Sequence, residues 1–371
     1  ARLNEKSESI SVRGEFSAAV VEKTATYLHD VVRCGIYVMI RENRVRMFVP
    51  FVNPAFTNSW AAHWEGFDPV AYYNRKAAAV GRDRVPVTLP PEQWWCNAGV
   101  VCNIPSAAVW GDSFLAVYRH MLDTACATHD VGAVEFFLNK RDHPVLKRDG
   151  RYPYDHMWNT TPPPLPHHFG PPWAPVMSPY CGDAFLDVLL PNPADWERAT
   201  MCTFPASPRP PPPPRPIPTV AWKDKTREAL FRGSCTGGGT TASTNQRIRL
   251  ASMSAAGDVP ALNAGITRYS SRDKRIPGGS LSFDDPARLP RPVPFLTYAR
   301  QAQYAYAVCV DGHSAPNRVG ALASTGSLVF RVASLPATCG TRTWVDQYLE
   351  PWVHFVPVAS DLSDLPSQLA W

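Results

Sequence analysis

The chain has 371 residues, of which 45% are hydrophobic, 11% aromatic and 19% charged, with a formal net charge of +5. That balance can bury a core, which excludes a wholly disordered chain. No run reaches the ~18 apolar residues of a membrane span, and the charge is too small to argue for nucleic acid, although it suits a phosphate-bearing small substrate.

The 39 prolines are roughly twice the usual ~5% and are clustered, so they mark loops and linkers. The nine cysteines form no C-x-x-C pair, which argues against a zinc ribbon or a thioredoxin-like motif. Cys309, within AYAVCVDG, reads as a plain buried thiol.

In chain order, Val20, Val21, Tyr27, Leu28 and Val31 fall at helical spacing and predict a helix over 16–32. IYVMI (36–40) and VRMFVPFV (45–52) read as strands. Phe114, Tyr118, Met121, Leu122 and Ala125 mark a second amphipathic helix, and VEFFL (134–138) a third strand running straight into a charged loop. Trp94 and Trp95 are either core or an aromatic stacking face. The Pro-rich stretch 161–175 reads as an ordered loop; its His167 and His168 lack a third partner and make a weak metal site. AFLDVLLP (184–191) predicts another strand.

Residues 205–218, PASPRPPPPPRPIP, can form neither helix nor sheet interior and read as a stiff polyproline II segment, an interdomain spacer in preference to a ligand for an SH3-like partner. Beyond it come a strand at 228–234, a helix at 244–253, a strand at 304–312, a helix from Asn317 to Ala323 with Asn317 as N-cap, and strands at 327–332 and 354–358. Strand-loop-helix alternation predicts an α/β protein with mostly parallel sheets, divided into residues 1–204, the linker 205–218 and residues 219–371.

In open α/β sheets, ligands bind where strands end, so polar residues just after strands carry the chemistry. Three such places stand out. In NKRDHP (139–144), Asp142 can serve as a general base, or simply pair with Arg141 or Lys140. In FRGSCTGGGTT (231–241), glycines and hydroxyls can cradle an anion and Arg232 can fork onto phosphate, although no P-loop lysine is present. In DGHSAPNR (311–318), Arg318 begins a helix, while His313 reads as an ordinary loop histidine. Together these suggest a diphosphate held by the second half and a carboxylate supplied by the first.

Several ordered segments resemble the CAP10-type glycosyltransferases of family 90. WKDKTREALFRGS (222–234) is similar to the family's W-x-x-K…A-x-F-R-G-S segment, and DGHSAPNRVGALASTGSLVF (311–330) to its G…R…L…GS-L-V-F segment. YLEPWVHFVPVASDLSDL (348–365) resembles L-x-P-W-V-H-Y-x-P-V-x-x-D-L, and FFLNKRDHP (136–144) the N-x-R-D-x-P loop. The insert CTGGGTTASTNQR resembles giant-virus and algal-virus members more than animal ones.

The resemblance implies a GT-B fold, two Rossmann-like domains facing across a cleft, and an inverting, metal-independent transfer from a UDP-sugar. The chain contains no Asp-x-Asp, in keeping with an expectation of no metal and no other cofactor. By position, the resemblance makes Asp142 the base and Arg232 and Arg318 the donor-binding arginines. Gly233, Ser234 and Thr236 complete the phosphate cradle, Gly326 and Ser327 lie near the nucleotide, and His354 and Asp311 are further candidates. The expected partners are a nucleotide-sugar donor carrying xylose or glucose, with xylose slightly favoured, and a glycan or protein acceptor. No nucleic acid and no membrane span are expected. The rival reading is an inactive relative acting as a scaffold or binding module. Without a visible leader the expected location is the cytoplasm (host cytoplasm or virus factory for a viral protein), or the secretory lumen if a leader has been removed. The chain is also expected to be one module of a larger polypeptide.

Overall fold

The computed structural model describes residues 16–52, 113–153, 163–202, 217–269, 289–335 and 340–370. Trp94, Trp95 and most of the Pro-rich segment 205–218 lie outside the described residues. The chain forms two compact units. One takes the chain up to Lys140 together with Leu165–Met177; the other takes Arg141–Pro164, Ser178–Cys202 and the chain from Pro213 on. The units are therefore not simply the two sides of the Pro-rich segment: 141–164 and 178–202 group with the second half.

In the first unit, α1 (Ala18–Tyr27) buries Val21, Thr24, Ala25 and Tyr27 and passes into a π-helical turn over Leu28–Val32. The left-handed Arg33 ends it (φ 71°). Strand β1 (Cys34–Arg41) pairs antiparallel with β2 (Arg44–Val52) across Glu42 and Asn43. Both turn residues have positive φ, 51° and 53°, the geometry whose twist matches a two-residue hairpin. The Asn43 side-chain oxygen accepts from the Val131 and Gly132 amides, which fixes the hairpin tip. Helix α2 (Ser113–Thr128) buries Leu115, Val117, Tyr118 and Met121. Strand β3 (Val134–Leu138) is antiparallel to β1, and β4 (Val176–Ser178) is parallel to β3. This unit departs from the mostly parallel expectation because a two-residue hairpin joins adjacent strands only in antiparallel fashion.

The second unit begins with two short strands, β5 (Tyr180–Cys181) and β6 (Val188–Leu189), and α3 (Pro193–Thr200). The strand expected over 184–191 shrinks to Val188–Leu189, because Asp187 turns its side chain inward to bind backbone elsewhere. Next come β7 (Thr226–Cys235), α4 (Gln246–Ala256), β8 (Leu262–Tyr269), α5 (Tyr298–Gln301), β9 (Tyr304–Cys309), α6 (Val319–Ala323), β10 (Leu328–Val332), β11 (Arg342–Thr343), β12 (Val356–Val358) and α7 (Leu365–Ala370). Asn317 does not cap α6; Arg318 holds that position, and the Asn317 side-chain oxygen instead accepts from Asn192 at 3.1 Å.

The main sheet runs β12-β10-β9-β7-β8 with every pairing parallel. Alternation along the strands splits the core onto two faces. Phe231, Val308, Phe330 and Val356 pack with Ile248 and Leu250 of α4 and Leu365 of α7 on one side. Ala307, Cys309 and Val329 pack with Val319 and Leu322 of α6 on the other. Burial of each large side chain is worth roughly 1.5–3 kcal/mol. A parallel sheet covered on both faces is the α/β arrangement. In sequence terms its order is 2-1-3-4-5, so the winding reverses between β7 and β9, and it is outside the carboxyl ends of such strands that open α/β sheets form their ligand crevice.

Gly265 in β8 is fixed by close approach, since a Cβ there would lie 2.3 Å from Val293 Cγ2 while the Val293 amide bonds the Ile266 carbonyl at 2.8 Å. Gly265→Ala should destabilise the protein by about 1–3 kcal/mol through overpacking, read as a lowered urea midpoint. An unchanged midpoint would show that Val293 moves aside freely.

Candidate active site

The crevice at the winding reversal is lined by the ends of β7 and β9. Phe231 and Gly233 point to the same side of β7, as alternation requires. Above them stand two guanidinium groups. Arg247 Cζ lies 5.8 Å from the Phe231 ring centroid and Arg318 Cζ lies 5.6 Å from it. A Cβ on Gly233 would meet Phe231 Cζ at 3.1 Å, Arg318 Nη2 at 3.4 Å and Arg247 Nη1 at 3.5 Å. A side chain there would crowd this floor.

Arg247 is buried in the first turn of α4 and donates to three backbone carbonyls: Asp311 at 2.7 Å, Ser234 at 2.9 Å and Val310 at 3.0 Å. It thereby ties the end of β7 to the residues just after β9. Burial, and secondarily the Arg318 charge, pull its pKa down to about 10. Arg318 Nη1 donates to the Arg232 carbonyl at 2.5 Å.

The Gly-rich loop is organised by one side chain. Asn245 caps α4 by accepting from the Arg247 and Ile248 amides, and its Nδ2 donates to the carbonyls of Thr236, Gly238 and Gly239. Gly237 and Gly239 have φ of +95° and +80°, which a side chain rarely adopts. Gly312 is held between Thr236 Oγ1 and Arg247 Nη2, 2.8 and 3.1 Å from where its Cβ would stand. The loop is thus a built wall of the crevice.

Asp142 is exposed and belongs to the same unit as these arginines. The next residue, His143, is buried, with its ring centroid 6.4 Å from that of His313, the residue after Gly312. The Tyr180 phenol is pushed up by burial first and by the Asp142 charge second, and it accepts from Asn192 at 3.3 Å. Asn192 bonds Asn317, beside Arg318. The structure thus brings Asp142 to the neighbourhood of the β9 end.

The other sequence candidates divide. Gly233, Ser234, Thr236, Asp311 and Arg318 gather at the crevice; Asp311 accepts from Ser334 Oγ at 2.5 Å. Arg232 presents its carbonyl there, but its guanidinium turns to the other face of β7. There it bonds the Phe231 carbonyl and both oxygens of Asn263, which in turn bonds Glu228. Gly326 and Ser327 precede β10, so the parallel register puts them at the amino edge, opposite the crevice. Ser327 Oγ there bonds the Tyr304 carbonyl and Lys225 Nζ, which also reaches the Ala302 and Thr325 carbonyls. His354 precedes β12, and its Nδ1 accepts from the Glu350 amide. His168 lies against Phe169, with ring centroids 4.1 Å apart. Among the described residues no group of three or more His, Cys, Asp and Glu side chains is placed to hold a metal ion, and no helix is long and apolar enough to cross a membrane.

Sequence reasoning missed Arg247 and Asn245. A signal was present: an arginine in the first turn of a helix opposes the helix dipole and needs another reason to be there.

No family model matches the chain. It is 32% identical over 375 residues to uncharacterized protein 035R of Invertebrate iridescent virus 3, a match covering 96% of this chain and 33% of that protein. It is 28% identical over 410 residues to uncharacterized protein 179R of Invertebrate iridescent virus 6, covering 96% of the chain and 34% of that protein. The chain thus spans about a third of the length of these viral relatives. It is also 29% identical over 157 residues to human protein O-glucosyltransferase 3, covering 41% of the chain and 25% of that protein. The last similarity is partial and distant.

Asp187, buried behind the Asp142 loop, accepts from the Val145 amide at 2.8 Å, the Leu146 amide at 2.7 Å and Ser178 Oγ at 2.5 Å. Burial raises its carboxyl from 3.8 to about 6, with the three hydrogen bonds working against the shift. The native state therefore binds this proton more tightly than the unfolded chain. The linked stability is fully present below pH ~4 and is lost as pH rises through ~6, about 3 kcal/mol in all. Asp187→Asn should flatten that part of the pH dependence of the unfolding free energy between pH 4 and 7; an unchanged slope would assign it to another group. Asn245→Ala should cost about 1–2 kcal/mol from the lost cap alone, measured by urea unfolding.

Proposed function

We propose that the chain is the catalytic part of an inverting glycosyltransferase of the CAP10-like family 90 kind, in which the second unit binds a UDP-sugar. The observation that carries this reading is the pair of guanidinium groups, Arg247 and Arg318, over the Phe231 ring at the winding reversal. Two cations in contact with one ring repel each other, and a diphosphate between them converts that repulsion into attraction. The partial similarity to protein O-glucosyltransferases supports a glycosyl group as the cargo.

In this reaction Asp142 accepts the proton of an acceptor hydroxyl. The freed oxygen lone pair forms a bond to the anomeric carbon, and the bond from that carbon to the diphosphate oxygen breaks on the opposite face. The leaving electron pair goes to UDP, whose growing charge Arg247 and Arg318 stabilise without a metal ion. Thr236 and the backbone around Gly233 line the phosphate site. The donor sugar is glucose or xylose, and the acceptor is a glycan or protein hydroxyl. The GT-B arrangement is part of the same proposal, with the second unit as its donor half.

Calorimetry with UDP, UDP-glucose and UDP-xylose in EDTA tests the reading. Arg318→Ala should weaken UDP binding at least 10-fold, because its loss removes a charge and leaves one carbonyl bond unmade. Asp142→Asn should keep wild-type UDP affinity and lose turnover by about 10²–10⁴-fold. Absence of UDP binding by the wild-type protein would overturn the donor assignment, and full turnover by Asp142→Asn would overturn the base.

A further inference from the structure

Asp187 takes no part in the proposed reaction, yet it is among the most enclosed carboxylates of the second unit. Segments 145–148 and 184–187 run antiparallel beside each other. The Leu186 amide bonds the Leu146 carbonyl at 2.8 Å, the Arg148 amide bonds the Ala184 carbonyl at 2.9 Å, and Lys147 bridges Phe185. At the end nearest Asp142, ordinary backbone pairing gives way to a side chain: both oxygens of Asp187 take the successive amides of Val145 and Leu146. The third donor is Ser178 Oγ. A carboxylate, which only accepts, matches a pocket made of donors. Cys181 Sγ lies against the Asp187 carbonyl at 3.1 Å, and the charges of Arg148 and Arg342 act on that thiol from beyond it.

Only His143 and Pro144, both buried, separate the latched amide of Val145 from Asp142. Proline fixes its own φ, so this short arm has little freedom once Val145 is held. We infer that Asp187 is a positioning residue for Asp142, its buried carboxylate latching the backbone behind the exposed base; the inference rests on the reading of Asp142 as that base. A displacement of about 1 Å in a reacting group can cost ~10²-fold in rate, which is the scale on which such a latch acts.

The test uses the whole chain with its UDP-sugar donor. Asp187→Asn turns an amide NH₂ toward a donor and breaks at least one of the three bonds. It should lower kcat about 10–100-fold while KM for the donor and Kd for UDP stay within about 2-fold, since neither guanidinium is touched. Hydrogen exchange across 143–148 should accelerate at least 10-fold, with the Gly-rich loop unaffected. Ser178→Ala, which removes one bond and leaves the carboxylate, should lower kcat about 3-fold with KM unchanged, and it decides the matter if Asp187→Asn fails to fold. A folded Asp187→Asn with wild-type kcat, or one whose UDP affinity falls as far as its kcat, would overturn the latch, as would a Ser178→Ala protein with wild-type kcat and exchange. Failure of the base assignment shows separately, as turnover retained by Asp142→Asn.

Discussion

The second unit depends on one buried cation. The Arg247 guanidinium spans the gap that the strand order leaves between β7 and β9, and it closes that gap with three carbonyl bonds. At this point the sheet cannot close itself, because the two strands diverge into separate loops. A planar guanidinium suits this task because it has five N–H groups in a fixed fork. Its placement depends on Asn245, which sets where α4 begins and so which residue falls in the first turn. It also depends on Gly312, where a Cβ would lie 2.8 Å from Thr236 Oγ1 and crowd the Arg247 guanidinium at 3.1 Å. Cap, glycine and cation form one device, and replacing any of the three disturbs the other two.

That device has an electrostatic cost. Burial and the neighbouring Arg318 both disfavour the charged form of Arg247, and the Asp311 charge offsets them only in part. The face of Phe231 offers some attraction to both cations, on the order of 0.5–2 kcal/mol each. A site optimised for stability alone would place an aspartate or an aliphatic pair there. Local choices that weaken the fold without evident compensation are expected where a ligand supplies the compensation, and the proposed diphosphate does so with the right sign and with enough oxygens to engage both forks.

The sheet of the second unit was legible because strands buried on both faces read as continuous apolar runs. The readings 228–234, 304–312 and 327–332 meet β7, β9 and β10 to within three residues at each end, whereas β8, whose LNAGITRY is broken by Asn, Gly and Thr, was not predicted. The first unit was less legible. Its strands were visible, but their direction turned on Glu42 and Asn43 adopting positive φ, and a Glu-Asn pair is a weaker hairpin signal than Asn-Gly. The apolar pattern of 184–191 concealed Asp187, because periodicity does not reveal when a polar residue finds backbone donors in another segment. Asp142, Gly233, Thr236 and Arg318, all of which lie at or after strand ends in the sequence, lie in the second unit. Residues before strands were misplaced. Gly326, Ser327 and His354 precede β10 and β12, and in a parallel sheet the residues entering a strand lie at the opposite edge from those leaving it. Arg232 shows a finer limit: strand position is readable, but whether its guanidinium or its carbonyl faces the crevice depends on Asn263, thirty-one residues away.

The two aspartates near the loop illustrate how environment divides labour between identical side chains. Asp142 is exposed, as the proposed role of base requires. Asp187 is enclosed among three donors, so its oxygens are already committed and no substrate can reach them. A base must be accessible, and an accessible loop is ordinarily a mobile one. Under the proposed reading, a fully bonded carboxylate a few residues behind the base resolves that conflict by holding the backbone through the Val145 and Leu146 amides. The same logic governs the crevice wall, where Asn245 orders the Gly-rich loop through three carbonyl bonds. Arg247 combines the two roles, since it is buried and bonded to three carbonyls and is also one of the two cations of the proposed donor site.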